Sequence, residues 1–164
     1  MSKNFNQLAP SLFGYSKIMN PLEFIHTRRS IRKYEDRKVP DKLIIKILAA
    51  GMSAPSAGNE QPWQFIVITE KSIFEKVPYI NRYAAFVKNA PAAILICGDL
   101  SLEKHRGFWV QDCSATTQNM LLAAHTLGLG AVWTGIYPRQ NRVDGFKKLF
   151  NIPDKVVPFA LIPI

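Results

Sequence analysis

The chain of 164 residues carries 21 Lys and Arg against 12 Asp and Glu, a formal charge of +9, with 48% hydrophobic and 20% charged residues. That length predicts one domain, and the composition is that of a packed globular chain, which excludes a disordered or low-complexity protein. The sequence has no apolar run of membrane-spanning length, no continuous hydrophobic signal region and no solenoid-like repeat, so it reads as soluble and cytoplasmic, with no membrane partner.

The basic balance favours anionic partners such as phosphates, nucleotides, nucleic acid or a membrane surface. Part of the excess lies between Lys17 and Lys46. No zinc-ligand spacing, aromatic RNA-binding signature or clear helix-turn-helix accompanies it, so nucleic acid is not the expected partner. Cys97 and Cys113 lack CxxC spacing and read as two buried, reduced thiols. His26, His105 and His125 are scattered, and no metal site is expected.

Residues 1–19 form a polar, turn-rich N-terminal extension, a flexible arm or a strap on a partner, because Phe5, Leu8, Leu12, Phe13 and Tyr15 need burial. Asn20-Pro21 then opens a short helix, with Asn20 as its cap and Leu22, Phe24 and Ile25 on its apolar face. In the next segment Arg28, Ser30 and Arg32 alternate, so an extended backbone projects all three to one side. Two guanidinium forks and a hydroxyl suit a phosphate or polyhydroxyl chain, and a basic surface patch fits the same residues.

Pro40-Asp41 opens a core helix carried by Leu43, Ile44, Ile47 and Leu48, with Gly51 as its expected C-cap. The stretch Ser53-Ala54-Pro55-Ser56-Ala57-Gly58-Asn59-Glu60-Gln61-Pro62-Trp63 cannot continue that helix. It reads as a ligand cradle or as an ordinary helix-to-strand connection. Residues 63–69 are expected as a buried central strand, 71–89 as weakly helical and broken at Pro78, and 92–98 as a second buried strand.

Residues 109–127 predict a long helix with Val110, Cys113, Thr117, Met120, Leu121 and Ala124 on one stripe. Its opposite face, at Ala115, Asn119, Leu122 and Ala123, is apolar enough to suggest a larger core or a dimer interface. A third strand is expected over 130–135. A helix capped by Asn141 runs to Phe150, then a last strand over 156–162.

Four stretches in order resemble the nitroreductase family in its short form. They are Arg28-Arg29-Ser30-x-Arg32, Pro55-Ser56-Ala57-Gly58-Asn59-x-Gln61-Pro62-Trp63, the helix from Gln111-Asp112 through Asn119-Met120, and Gly128-Leu129-Gly130-Ala131-Val132-Trp133-Thr134-Gly135. The resemblance covers the chain from about Pro21 to its end. It implies an α+β fold with a central, mostly antiparallel sheet flanked by helices, and a domain over 20–164. It also implies an obligate homodimer with FMN at the subunit interface.

By position, the resemblance puts Arg28, Ser30 and Arg32 on the FMN phosphate, ribityl chain and pyrimidine edge, with Arg29 contributing partly through its backbone. It brings Pro55, Ser56, Ala57, Asn59 and Gln61 from the other subunit. It lays Trp133, Thr134 and Gly135 along the flavin ring. The implied activity is ping-pong transfer of hydride from NADH or NADPH through flavin N5 to nitroaromatics, quinones or related acceptors, with no side-chain nucleophile. A flavin-binding protein with little turnover, acting as sensor or carrier, is the alternative. Family members continue past the last strand into a tail bearing a basic residue for the FMN phosphate. This sequence stops at Ile162-Pro163-Ile164, so either weaker FMN binding or a trimmed chain is expected.

Overall fold

Alternating apolar residues in the two strongest strand segments build the centre of the molecule. The structure, a computed structural model, describes residues 21–164; the expected N-terminal extension and the Asn20 cap lie outside the described residues. Among these, β1 (Trp63–Ile68), β2 (Ala93–Asp99), β3 (Thr134–Gly135) and β4 (Val156–Pro163) form one sheet in the order β1-β2-β4-β3, every pair antiparallel. On β2, Ile94 and Ile96 face one hydrophobic cluster while Ala93, Leu95 and Cys97 face the other. Both faces are therefore covered, which is why the strand reads as a continuous apolar run.

On one face lie α2 (Asp41–Met52) and α5 (Trp109–Thr126), with the short α1 (Pro21–Thr27) against α5. The other face holds α3 (Lys71–Phe74), α4 (Val77–Ile80), a 3-10 segment (Arg82–Asn89) and α6 (Gln140–Phe150). This is the helix-flanked antiparallel α+β architecture that the resemblance implies. Cys97 and Cys113 are both buried and free, and burial pushes the Cys97 thiol up to about 12.

Four expectations need correction. Residues 63–68 form an edge strand and not a central one: Gln64 is exposed and Val67 41% exposed, because only β2 pairs with it. The third strand shrinks to Thr134–Gly135, since residues 130–133 make their contacts outside the ladder. Gly51 lies inside α2, with Ser53 as the C-cap. Asn141 likewise falls within α6, where Arg139 holds the cap position without a side-chain bond.

The register of β4 slips between Ile96 and Cys97 of its partner, which pair with Ala160 and Pro158. Pro158 has no N–H for the ladder, so a bulge there is the expected accommodation. Its consequence is visible in the core: the adjacent residues Phe159 and Ala160 both join the same cluster. The extra Phe159 carbonyl accepts from the N–H groups of both Ile136 and Tyr137, at 3.1 Å each.

Gly51 is a point of close approach. A Cβ there would lie 2.4 Å from Met120 Cε and 2.8 Å from Thr116 Oγ1. The Thr116 hydroxyl donates to the Gly51 carbonyl at 2.7 Å, and Asn119 Nδ2 donates to the Ala50 carbonyl at 3.1 Å. Side chains of α5 thus add a second bond to carbonyls that already accept from the Ala54 N–H and the Ser53 hydroxyl. Gly51→Ala should destabilise the protein by about 1–3 kcal/mol through overpacking, seen as a lower urea midpoint at unchanged m-value.

Candidate functional site

Ile31 anchors the arginine-rich segment. Its N–H donates to the Ala131 carbonyl at 3.0 Å, and its side chain fills the space where a Cβ on Gly130 would lie, 2.7 Å from Ile31 Cγ2. Thr27 Oγ1 lies 2.8 Å from His125 Nε2 on α5, which fixes the end of α1. The Tyr34 hydroxyl donates to the Ile31 carbonyl at 2.9 Å. These contacts hold the extended segment against Gly130 and Ala131 and bring the first and last of the four stretches together.

Arg28 is half-buried, while Arg29, Ser30 and Arg32 are exposed. Arg29 Nη1 donates to the carbonyls of His26 and Arg28, at 2.7 and 3.0 Å, so this guanidinium fixes its own turn. The Arg32 guanidinium stands 5.8 Å over the Phe86 ring. None of the four ion pairs among the described residues involves Arg28, Arg29 or Arg32.

β3 is the other edge of the sheet, so one side of its backbone faces away from the ladder. Thr134 is 8% exposed, and its hydroxyl has no partner among the described residues. Trp133, half-buried, tilts against Phe159 with centroids 5.6 Å apart. The Gly135 carbonyl accepts from Arg142 Nη1 at 2.8 Å.

The loop after α2 holds an unusual backbone. Gly58, Asn59 and Gln61 have φ of 53°, 56° and 49°. Left-handed conformations cost little at glycine and Asn but are strained at Gln, so other contacts must hold them. The Ser56 hydroxyl accepts from the Gln61 N–H at 3.0 Å, and Gln61 Nε2 donates to Asn59 Oδ1 at 2.9 Å. Pro55, Asn59 and Gln61 stay exposed while Ser56 and Ala57 are half-buried.

Two buried carboxylates tie this loop down. Asp112 Oδ1, on the first turn of α5, accepts from the Ala57 N–H at 3.0 Å. Glu60 Oε1 accepts from the N–H groups of Lys104 and His105, at 2.7 and 2.6 Å. The remaining oxygens, Glu60 Oε2 and Asp112 Oδ2, are buried without a partner among the described residues. Sequence reasoning gives no role to Asp112, although it lies in one of the four stretches, and misses Glu60. A signal is present, because Glu60 is the one charged residue between Ser53 and Trp63.

No hydrogen bond or ion pair among the described residues joins Arg28, Arg29, Ser30 or Arg32 to residues 55–61 of the same chain. A groove of about 500 Å³ adjoins this anchor, lined by Ile31, residues of 33–40 and residues 127–130. No group of His, Cys, Asp and Glu among the described residues could hold a metal ion, and no helix of the described residues is long and apolar enough to cross a membrane.

Burial raises the Asp112 carboxyl above the usual range; the Ala57 N–H opposes this, and Glu60 and Glu103 add to it. A raised carboxyl favours folding below its unfolded value of about 4, and that contribution is lost as pH rises through the folded value. Asp112→Asn keeps an acceptor for Ala57 and removes the charge. Its stability relative to the wild type should therefore increase between about pH 4 and 7, as read from urea midpoints across that range.

Comparison with known proteins matches these stretches. The profile of the Nitroreductase family matches residues 25–85 and 75–164. A protein of Methanothermobacter thermautotrophicus with the provisional name NADH dehydrogenase/NAD(P)H nitroreductase is 60% identical over 146 residues, 89% of this chain and 76% of the relative. One of the same provisional name from Archaeoglobus fulgidus is 48% identical, over 87% of this chain and 83% of the relative. A crystal structure from Desulfovibrio desulfuricans, described as a provisional nitroreductase in complex with FMN, superposes with a TM-score of 0.77 at 35% identity, covering 87% of this chain and 83% of the other. The chain belongs to the nitroreductase family.

Proposed function

We propose that the protein is an FMN-dependent NAD(P)H oxidoreductase that passes hydride to nitroaromatic, quinone or related acceptors in a ping-pong cycle. The observation that carries this reading is the docking of Arg28–Arg32, through Ile31, against Gly130 and Ala131, the residues that lead into the edge strand Thr134–Gly135. The segment carries cationic side chains without carboxylate partners, and the stretch it docks on runs into a sheet edge where the Thr134 hydroxyl is unpartnered among the described residues. It fits a ligand with a phosphate at one end and a planar, hydrogen-bonding ring at the other. The relative from D. desulfuricans is described in complex with FMN.

FMN supplies acceptance and donation of hydride at N5. The chain's own part is binding, orientation and electrostatics. Arg28, Ser30 and Arg32 hold the phosphate and ribityl chain, and Arg29 fixes the turn that presents them. Arg32 places a permanent positive charge toward the pyrimidine edge, where it favours the anionic reduced form. Trp133, Thr134 and Gly135 offer a flat side and backbone N–H groups along the ring. Pro55, Ser56, Ala57, Asn59 and Gln61 approach from a second copy of the chain, which accounts for the lack of bonds between this loop and the arginines within one chain.

The second copy has a surface to sit on. Ile45 and Met52, seven residues apart on α2, are 63% and 60% exposed. With the exposed Ala49 between them they form an apolar stripe on the side of α2 that also exposes Asp41, Lys42 and Lys46. On α5, Ala115 and Ala123 pack partly buried against the core, Asn119 bonds to α2, and Leu122 is half-buried outside both clusters, so α5 can add to the same surface.

Purified protein, or protein given FMN, should show a bound-flavin absorption band that bleaches anaerobically with NADH or NADPH. A band that persists with both would favour a flavin binder with little turnover. Arg28→Ala, by removing a charge-assisted bond worth about 1.5–3 kcal/mol, should weaken FMN binding roughly tenfold to hundredfold in a fluorescence titration. Ile45→Glu combined with Met52→Glu should shift a dimer toward monomer in sedimentation velocity and lower FMN retention with it.

A further inference from the structure

Glu60 has a role that the cofactor reading leaves open. Its side chain is buried, at 8% exposed, yet it makes no bond to the cofactor-contact stretch that contains it. One carboxylate oxygen instead accepts from two consecutive backbone N–H groups, 44 and 45 residues away, at the start of the turn Lys104-His105-Arg106-Gly107. The Gly107 N–H closes the same turn onto the Glu103 carboxylate. His105 also meets the loop directly, since a Cβ on Gly58 would lie 2.8 Å from its Nε2.

Fixing the turn through its backbone leaves the Lys104 and Arg106 side chains uncommitted, while the His105 ring packs on Gly58 and Phe108. Lys104, His105 and Arg106 are all exposed, and neither Lys104 nor Arg106 is in an ion pair among the described residues. Each nearby carboxylate accepts from backbone N–H groups rather than from Lys104 or Arg106 side chains: Glu60 and Glu103 from this turn, Asp112 from Ala57. Three successive residues with basic side chains are therefore held against a loop whose Gly58, Asn59 and Gln61 already adopt φ > 0.

We propose that Glu60 is a positioning residue that sets Lys104 and Arg106 as a cationic rim beside the 55–61 loop, with His105 packed between them on Gly58, and that this rim selects substrates bearing an oxyanion such as phosphate, sulfonate or carboxylate. The proposal rests on the reading of that loop as part of the flavin site. The oxyanion belongs either to the electron acceptor or to the additional phosphate of NADPH. A cationic surface rim acts through a screened field, so its effect falls with salt.

The test uses FMN-loaded, full-length protein. An acceptor arm compares 1,2-naphthoquinone-4-sulfonate with 1,2-naphthoquinone, and a donor arm compares NADPH with NADH, each at low and high salt. Lys104→Ala combined with Arg106→Ala should raise the KM ratio of the more charged to the less charged substrate by about three- to tenfold in at least one arm. High salt should raise the same ratio in the wild type. Glu60→Ala should act in the same direction, while Glu60→Gln, whose amide oxygen still accepts from both N–H groups, should stay near the wild type. Tryptic cleavage after Lys104 and Arg106 should be faster in Glu60→Ala than in Glu60→Gln.

A double variant with unchanged KM ratios in both arms overturns the rim while leaving the flavin reading intact. Equal cleavage in the two Glu60 variants overturns the positioning role. A wild type that takes up no FMN overturns the flavin reading and this proposal together.

Discussion

The contact on which the site most depends is the approach of α2 to α5 at Gly51. With no Cβ there, Met120 and Thr116 reach the α2 backbone, and Thr116 and Asn119 add to the bonds that Ala54 and Ser53 already make to its terminal carbonyls. A helix end closed by a neighbouring helix stops at a defined residue and in a defined direction. The loop that departs from it is then received by the same helix, through Asp112 and the Ala57 N–H. One helix therefore both ends α2 and holds the loop beyond it. The left-handed residues of the loop persist because its two ends are fixed independently of their conformational preference.

A second close approach does similar work on the other half of the site. Ile31 occupies the space that a side chain on Gly130 would take, and its N–H bonds to Ala131. The extended arginine segment thereby gains a fixed register beside the sheet edge. Arg28 and Arg32 stay without a carboxylate partner among the described residues, because Ile31 anchors the segment and Arg29 fixes its own turn. The two halves have a common logic: buried backbone contacts set the position, and exposed or unpartnered polar groups remain for a ligand. Glu60 extends that logic to a third segment, the 103–107 turn.

Much of this was legible along the chain. The strand Ala93–Asp99 announced itself by a run of apolar residues with no polar interruption, which only a strand covered on both faces requires. The helix α5 declared its stripe, and Asp41 marked the start of α2. The four stretches pointed to the family, and the arginine segment and the 130–135 stretch do meet. Where local pattern misled, a non-local partner decided. Trp63–Ile68 has the composition of a central strand, but its place at the edge depends on which strands pair with β2. Gly51 has the sequence context of a cap, yet its purpose is set by Met120 and Thr116, far along the chain.

The sequence by itself determined the element types, the family and the residues able to bind an oxyanion, because these depend on side-chain chemistry and local periodicity. Tertiary structure alone decided the strand order, the bulge opposite Pro158, the burial of Glu60 and Asp112, and the pairing of Ile31 with Ala131. Each of these is a contact between residues distant in sequence. Glu60 makes the difference plain. In the sequence it is one acid in a polar loop; in the fold it is a buried carboxylate holding two backbone N–H groups of another turn. Local chemistry states what a side chain can accept, and only the folded chain brings the donor to it.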